Sequence, residues 1–133
     1  MATTAGAEFT KVLTYNGSNY GDMTLEAQSP SGTSFGAFVE TNHFLYLGHD
    51  SKFDMAIFHI DAAASLGTLK YEYYNGSAWT EFIPASGRYE LDPDDNQGSQ
   101  YDFSEDGAEI FPPNLLSDWA TVDINSSTLY WVR

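Results

Sequence analysis

Residues 68–83 read TLKYEYYNGSAWTEFI, and their alternation decides the fold class. Leu69, Tyr71 and Tyr73 fall on one side of an extended chain and Lys70, Glu72 and Tyr74 on the other, the period of a half-buried strand. Asn75 and Gly76 then tolerate the left-handed backbone that a tight turn needs. Ser77 and Ala78, with weak strand preference, lengthen the turn. The chain returns with Trp79, Glu81 and Ile83 alternating against Thr80 and Phe82, which makes the stretch a β-hairpin.

Outward from this hairpin the same signals recur. Strands are expected at Phe9–Tyr15, with a turn at Asn16 and Gly17, at Thr24–Gln28 before the breakers Ser29, Pro30, Ser31 and Gly32, at Phe35–Glu40, and at Phe44–Leu47 ending on Gly48. Met55–Ile60 is apolar on both faces and fits a central strand. Asp61–Ser65 is a connector of at most one helical turn. Asp92–Asp106 is a solvated acidic loop interrupted by a short strand at Tyr101–Phe103. A strand at Ala108–Phe111 is stopped by Pro112 and Pro113, and Asn114–Trp119 is expected to form one helical or 3₁₀ turn. Thr121–Ile124 and Thr128–Arg133 are strands about a turn at Asn125 and Ser126. That is about eight or nine strands without a long helix. The expected fold is all-β, an antiparallel β-sandwich of jelly-roll type with long acidic loops, a small closed barrel being the competing architecture. Residues 1–8 are expected to form a flexible arm and 9–133 one domain, and no internal repeat is read in the chain.

Composition limits what such a domain can do. The 133 residues are one domain's worth, 42% hydrophobic and 16% aromatic, so aromatic rings carry much of the packing. Nineteen acidic residues against five basic ones give a net charge of -14. Such a surface repels nucleic acid and anionic lipid, and its self-repulsion calls for screening by salt or cations. The absence of cysteine excludes disulfides and thiolate chemistry. No apolar run reaches the roughly 20 residues that span a bilayer, and Met1–Gly6 lacks the basic leader of a secretory signal.

Leu45, Tyr46, Leu47, Gly48, His49 and Asp50, followed by Phe53 and Asp54, resemble the opening of a β-sandwich module of uncharacterised virion proteins from tailed phages and archaeal, including haloarchaeal, tailed viruses. Tyr71, Tyr74, Asn75, Gly76 and Trp79 resemble the same module's hairpin, in which a tyrosine and an Asn-Gly turn precede a tryptophan. Phe111, Pro112, Pro113, Trp119 and Ala120, then Leu129–Arg133, are similar to its close. The likeness covers roughly residues 44–133. His49 stands where a large aromatic is usual, and the segment between Ala85 and Gly107 is more acidic than in the module. What the resemblance implies is a noncatalytic protein of the virion, on the capsid surface or in the tail.

Candidate chemistry is sparse. His43, His49 and His59 sit in no metal-ligand or nucleophile spacing, and His59 reads as a packing residue. Paired carboxylates able to do acid-base work on a sugar need a cleft that the sequence does not supply. Asp92, Asp94 and Asn96 alternate near Gly98, a spacing at which oxygen ligands can wrap a cation such as Ca2+, although Gln97 and Phe103 break the helix-loop-helix calcium pattern. Uptake in a millimolar calcium titration is the test. Asn16, Asn75 and Asn125 head Asn-x-Ser sequons at turns, where a glycan is tolerated and where Asn also serves the turn itself. Tyr74, Tyr89 and Tyr101 are candidates for a glycan-binding or subunit-contacting surface, and Trp79, Trp119 and Trp131 for core or interface packing. The expected partners are further copies of the chain and other virion proteins through closed symmetric contacts, or a host-surface glycan, without nucleic acid or membrane insertion.

Overall fold

The computed structural model describes residues 8–28, 34–37, 40–62, 69–82, 85–87, 107–110 and 116–133, with 85–87 and 107–110 described by their backbone. In chain order the elements are β1 (Lys11–Tyr15), β2 (Tyr20–Asp22), α1 (Thr24–Gln28), β3 (Phe44–His49), β4 (Met55–Phe58), β5 (Tyr71–Tyr74), β6 (Trp79–Phe82), β7 (Ala85–Gly87), β8 (Gly107–Ile110), β9 (Thr121–Ile124) and β10 (Ser127–Val132). Every described strand pair is antiparallel. A seven-stranded sheet runs β2-β1-β3-β10-β5-β6, with β9 beside β10, and a three-stranded sheet runs β4-β8-β7.

β10 holds the large sheet together. Its first half pairs with β9 and its second half lies between β3 and β5. The β5 contact is closed by reciprocal backbone bonds between Glu72 and Arg133, 2.9 Å each. At Ala120, whose N–H donates 2.8 Å to the carbonyl of Tyr74, the chain comes up alongside β5 before entering β9.

Alternation along the strands gives the large sheet two different faces. On one, Val12, Leu45, Leu47, Tyr73 and Val132 join Ala56 and Phe58 of β4, Ala27 of α1, Phe9, Leu116 and Trp119 in the main buried cluster. That cluster therefore contains side chains of both sheets. The other face buries Leu13, Tyr46, Leu129 and Trp131, with Tyr15, Phe44, Trp79, Val122 and Ile124 packed against them.

Several elements differ from their expected form. Thr24–Gln28 is a turn of helix, not a strand. Asp22 caps it by accepting from the Thr24 N–H at 3.0 Å, and Thr24 and Ala27 are buried three residues apart, so a helical period wins over a β-branched start. No strand forms at 34–37 or at Glu40. β2 and β7 are three-residue strands too short to leave a sequence period. Gly48 does not end its strand: β3 continues through it to His49. The strand expected at Tyr101–Phe103 lies outside the described residues.

Candidate functional site

The second face of the large sheet collects the chain's unusual side chains. Tyr15 and Tyr20 close one end with ring centroids 4.5 Å apart. Tyr20 meets Tyr46 at 5.9 Å, Tyr46 meets Trp79 at 5.9 Å and Trp79 meets Tyr74 at 5.8 Å. Ring contact is thus continuous from the β1-β2 hairpin at one edge to the β5-β6 hairpin at the other. Tyr46 and Trp79 stand on strands separated by β10 and β5, so their rings lean together across both.

Arg133 fills the space beneath that bridge. Its guanidinium lies 4.6 Å from the Phe44 ring centroid and 4.3 Å from that of Trp79, a cation held between two π faces. Nε donates to Glu72 at 2.7 Å and Nη1 to the Tyr46 hydroxyl at 3.3 Å. Glu72 also faces Lys70 at 3.3 Å, and Lys70 reaches Glu81 at 3.7 Å. Desolvation of Arg133 and Glu72 is offset by this pairing and by the hydrogen bonds around it.

Trp131 floors the strip. It is fully buried, its indole lies over Gly48, and Nε1 donates to the carbonyls of Val122 at 3.1 Å and Ser127 at 3.3 Å. A glycine is needed at position 48 because a Cβ there would come within 2.5 Å of the indole.

A repeat underlies this arrangement, correcting the reading of a chain without one. Residues 11–22, KVLTYNGSNYGD, and 70–81, KYEYYNGSAWTE, share Lys, Tyr, Asn, Gly and Ser in register, with Tyr20 answered by Trp79 and Asp22 by Glu81. Both are hairpins with the same turn. Asn16 N–H donates to Asn19 O at 3.2 Å and Asn75 N–H to Ala78 O at 3.1 Å. The side-chain carbonyl of Asn16 accepts from Ser18 and Asn19 at 3.0 and 2.7 Å, and that of Asn75 from Ser77 and Ala78, both at 2.9 Å. Gly17 and Gly76 follow at φ of 90° and 96°, conformations open to glycine. The ion pairs correspond too, Lys11 to Asp22 at 2.9 Å and Lys70 to Glu81 at 3.7 Å. In the strand order β2-β1-β3-β10-β5-β6 the first three strands answer the last three read backwards, so an approximate two-fold axis passes through the sheet between β3 and β10.

Of the residues singled out from sequence, Tyr74 and Trp79 lie half-buried on this strip and Trp131 lies beneath it. Trp119 is buried on the opposite face, stacked edge-on with Phe53 at 4.9 Å and Tyr130 at 5.7 Å, its Nε1 donating to the Trp131 carbonyl at 3.1 Å. Tyr89, Tyr101, Asp92, Asp94 and Asn96 lie outside the described residues. Among the described residues no three His, Asp or Glu side chains gather as metal ligands. His49 is engaged locally with Ser51, Nδ1 to Oγ 3.1 Å. Asn125 and Ser126 form a tight turn at φ of 48° and 69°. The sequence reading missed Tyr15, Tyr20, Phe44, Tyr46, Glu72 and Arg133 as one surface. The repeated Tyr-Asn-Gly-Ser was the signal that could have found it.

Two of these groups have displaced ionisation. Asp22 is held below the ordinary carboxylate value, first by the Thr24 hydroxyl bond and also by Lys11. Burial and the neighbouring Tyr46 raise Tyr20, so its phenol stays neutral well into alkali.

Compared with known proteins, the chain matches no family model, no curated protein and no solved structure. The strand pairing defines the class, an antiparallel all-β protein. In the described residues no helix is long and apolar enough to cross a membrane.

Proposed function

We propose that this chain is a noncatalytic structural protein of a virus particle, a capsid-surface decoration or tail component, working through contacts between subunits. One observation carries the contact role: the aromatic face is charge-balanced in a chain of net charge -14. On it Lys11, Lys70 and Arg133 are matched by Asp22, Glu72 and Glu81. Interface cores are rich in Tyr, Trp and Arg and poor in unpaired charge. The assignment to a virion rests on the resemblance of residues 44–133 to virion modules. The architecture proposed is the two-layer β-sandwich of jelly-roll kind, supported by a buried cluster drawn from both sheets and by a chain that passes between the sheets at β3-β4, β4-β5, β6-β7 and β8-β9.

The test is absolute mass by light scattering after size exclusion, at low and at multimolar salt. Discrete oligomers that appear as charge is screened support subunit contact, and a monomer in every salt refutes it. A second reading, a carbohydrate-recognition module of a virion or cell surface, is favoured by the partly exposed rings of Tyr15, Tyr20, Tyr74 and Trp79. Glycan binding by the monomer is the result that selects it.

A further inference from the structure

We propose that the aromatic face is the surface on which two copies of this chain pair, face against face. The inference rests on the subunit-contact reading above and adds what covers the aromatic face and how the two copies meet.

Charge favours this face. Two copies at net charge -14 repel at long range, and contact is tolerable only where local charge cancels. Three of the chain's five basic residues are on this face, each beside a carboxylate. Contact here adds no like-charge juxtaposition, whereas acidic surface elsewhere does.

The hydrogen bonding of the face separates a protein partner from a sugar. A sugar site needs side-chain donors and acceptors left over for ring hydroxyls. Here the polar groups are largely spent on one another. Arg133 is bonded to Glu72 and Tyr46, the lysines to carboxylates, the Trp131 indole N–H to two carbonyls, and the Asn16 and Asn75 carbonyls to their own turns. What the face offers outward is ring surface, led by Tyr20 at 37% exposure.

The face is also self-complementary. An isologous contact pairs a patch with itself. Because 11–22 and 70–81 build the same hairpin at the two ends of the strip, a second copy meets an equivalent set of rings and an equivalent ion pair in either of the two orientations that a half-turn about the sheet normal exchanges. Tyr20 of one copy then faces either Tyr20 or its counterpart Trp79 of the other.

The chain has no cysteine, so an introduced thiol reports a unique contact. Tyr20→Cys alone, and Tyr20→Cys mixed with Trp79→Cys, are oxidised in multimolar NaCl and scored for covalent dimer. In parallel, the masses of wild type, Tyr20→Glu and Leu25→Glu are measured over a concentration series, with circular dichroism as the check on folding. Leu25 is 80% exposed on α1, which packs on the other face, so its variant controls for added charge. The expected result is a species of twice 14.7 kDa for wild type and Leu25→Glu. Folded Tyr20→Glu should dimerise at least tenfold more weakly, and one of the two cysteine arrangements should cross-link. An oligomer that Tyr20→Glu leaves intact and neither arrangement cross-links overturns this surface while keeping subunit contact. A monomer at every salt overturns both, and glycan binding by that monomer assigns the strip to sugar instead.

Discussion

Replacing Gly48 with alanine sets a methyl group 2.5 to 2.9 Å from three atoms of the Trp131 indole. Gly48 sits in regular register opposite Lys11 and Trp131, so space and not conformation excludes the side chain. An ordinary strand glycine gains about 0.5–1 kcal/mol on becoming alanine. Here the indole must move, and it is fully buried with its N–H committed to Val122 and Ser127. Overpacking costs about 1–3 kcal/mol, and losing an indole hydrogen bond adds about 1. The expected net is a destabilisation of about 2–3 kcal/mol, measured by urea unfolding at neutral pH. For a chain of this size that lowers Tm by roughly 3–5 °C per kcal/mol. Trp131→Phe in the same chain shortens the opposing ring, so the double variant should lose less than the sum of the singles. An alanine variant as stable as wild type, or more so, refutes the stacking of Trp131 on Gly48.

Gly17→Ala and Gly76→Ala should each cost about 1 kcal/mol and by nearly equal amounts, since both impose positive φ on alanine with no overlap closer than 3.6 Å; unequal losses in denaturant titration would count against equivalent turns. Glu72→Ala strands the Arg133 guanidinium between Phe44 and Trp79 and should lower stability by about 2–3 kcal/mol by the same assay. Tyr73 donates to Asp118 at 2.7 Å, and that bond, with burial, raises its pKa above 10.0. The stability it contributes is full below pH 10 and is lost as pH rises through the folded value. Tyr73→Phe should cost about 1 kcal/mol at neutral pH and flatten the alkaline decline in melting temperature. Asp22, with its pKa lowered from 3.8, contributes stability above that value that is lost as pH falls through the folded one. Asp22→Asn should narrow its gap to wild type as melts are taken below pH 4.

The fold was legible where pattern is local. Leu69–Ile83 announces its hairpin because alternation and turn residues are contiguous, and β5 and β6 form with the expected longer turn. β9, its Asn125-Ser126 turn and β10 were legible for the same reason. The order of the large sheet was not, because β10 pairs with β3 and β5 far earlier in the chain and no periodicity encodes that choice. Arg133 and Glu72 meet for the same non-local reason, so the centre of the aromatic face stayed invisible. The helical turn at Thr24 was hidden because its start depends on a cap from Asp22, one residue of a three-residue strand. Trp131 is fully buried, and that it packs on Gly48 is a fact of register that no local pattern encodes.

The position of β10 bears on how this protein is made. Among the described strands, the β2-β1-β3 half of the large sheet is joined in backbone pairing to the β5-β6 half only through residues 127–132, which are made after both halves. Each hairpin can close while the chain is still emerging from the ribosome, but both wait with an open edge until that strand arrives, and closure must then bring together residues distant in sequence. A ribosome stalled shortly before β10 would hold out two unjoined half-sheets, the kind of exposed edge that chaperones capture.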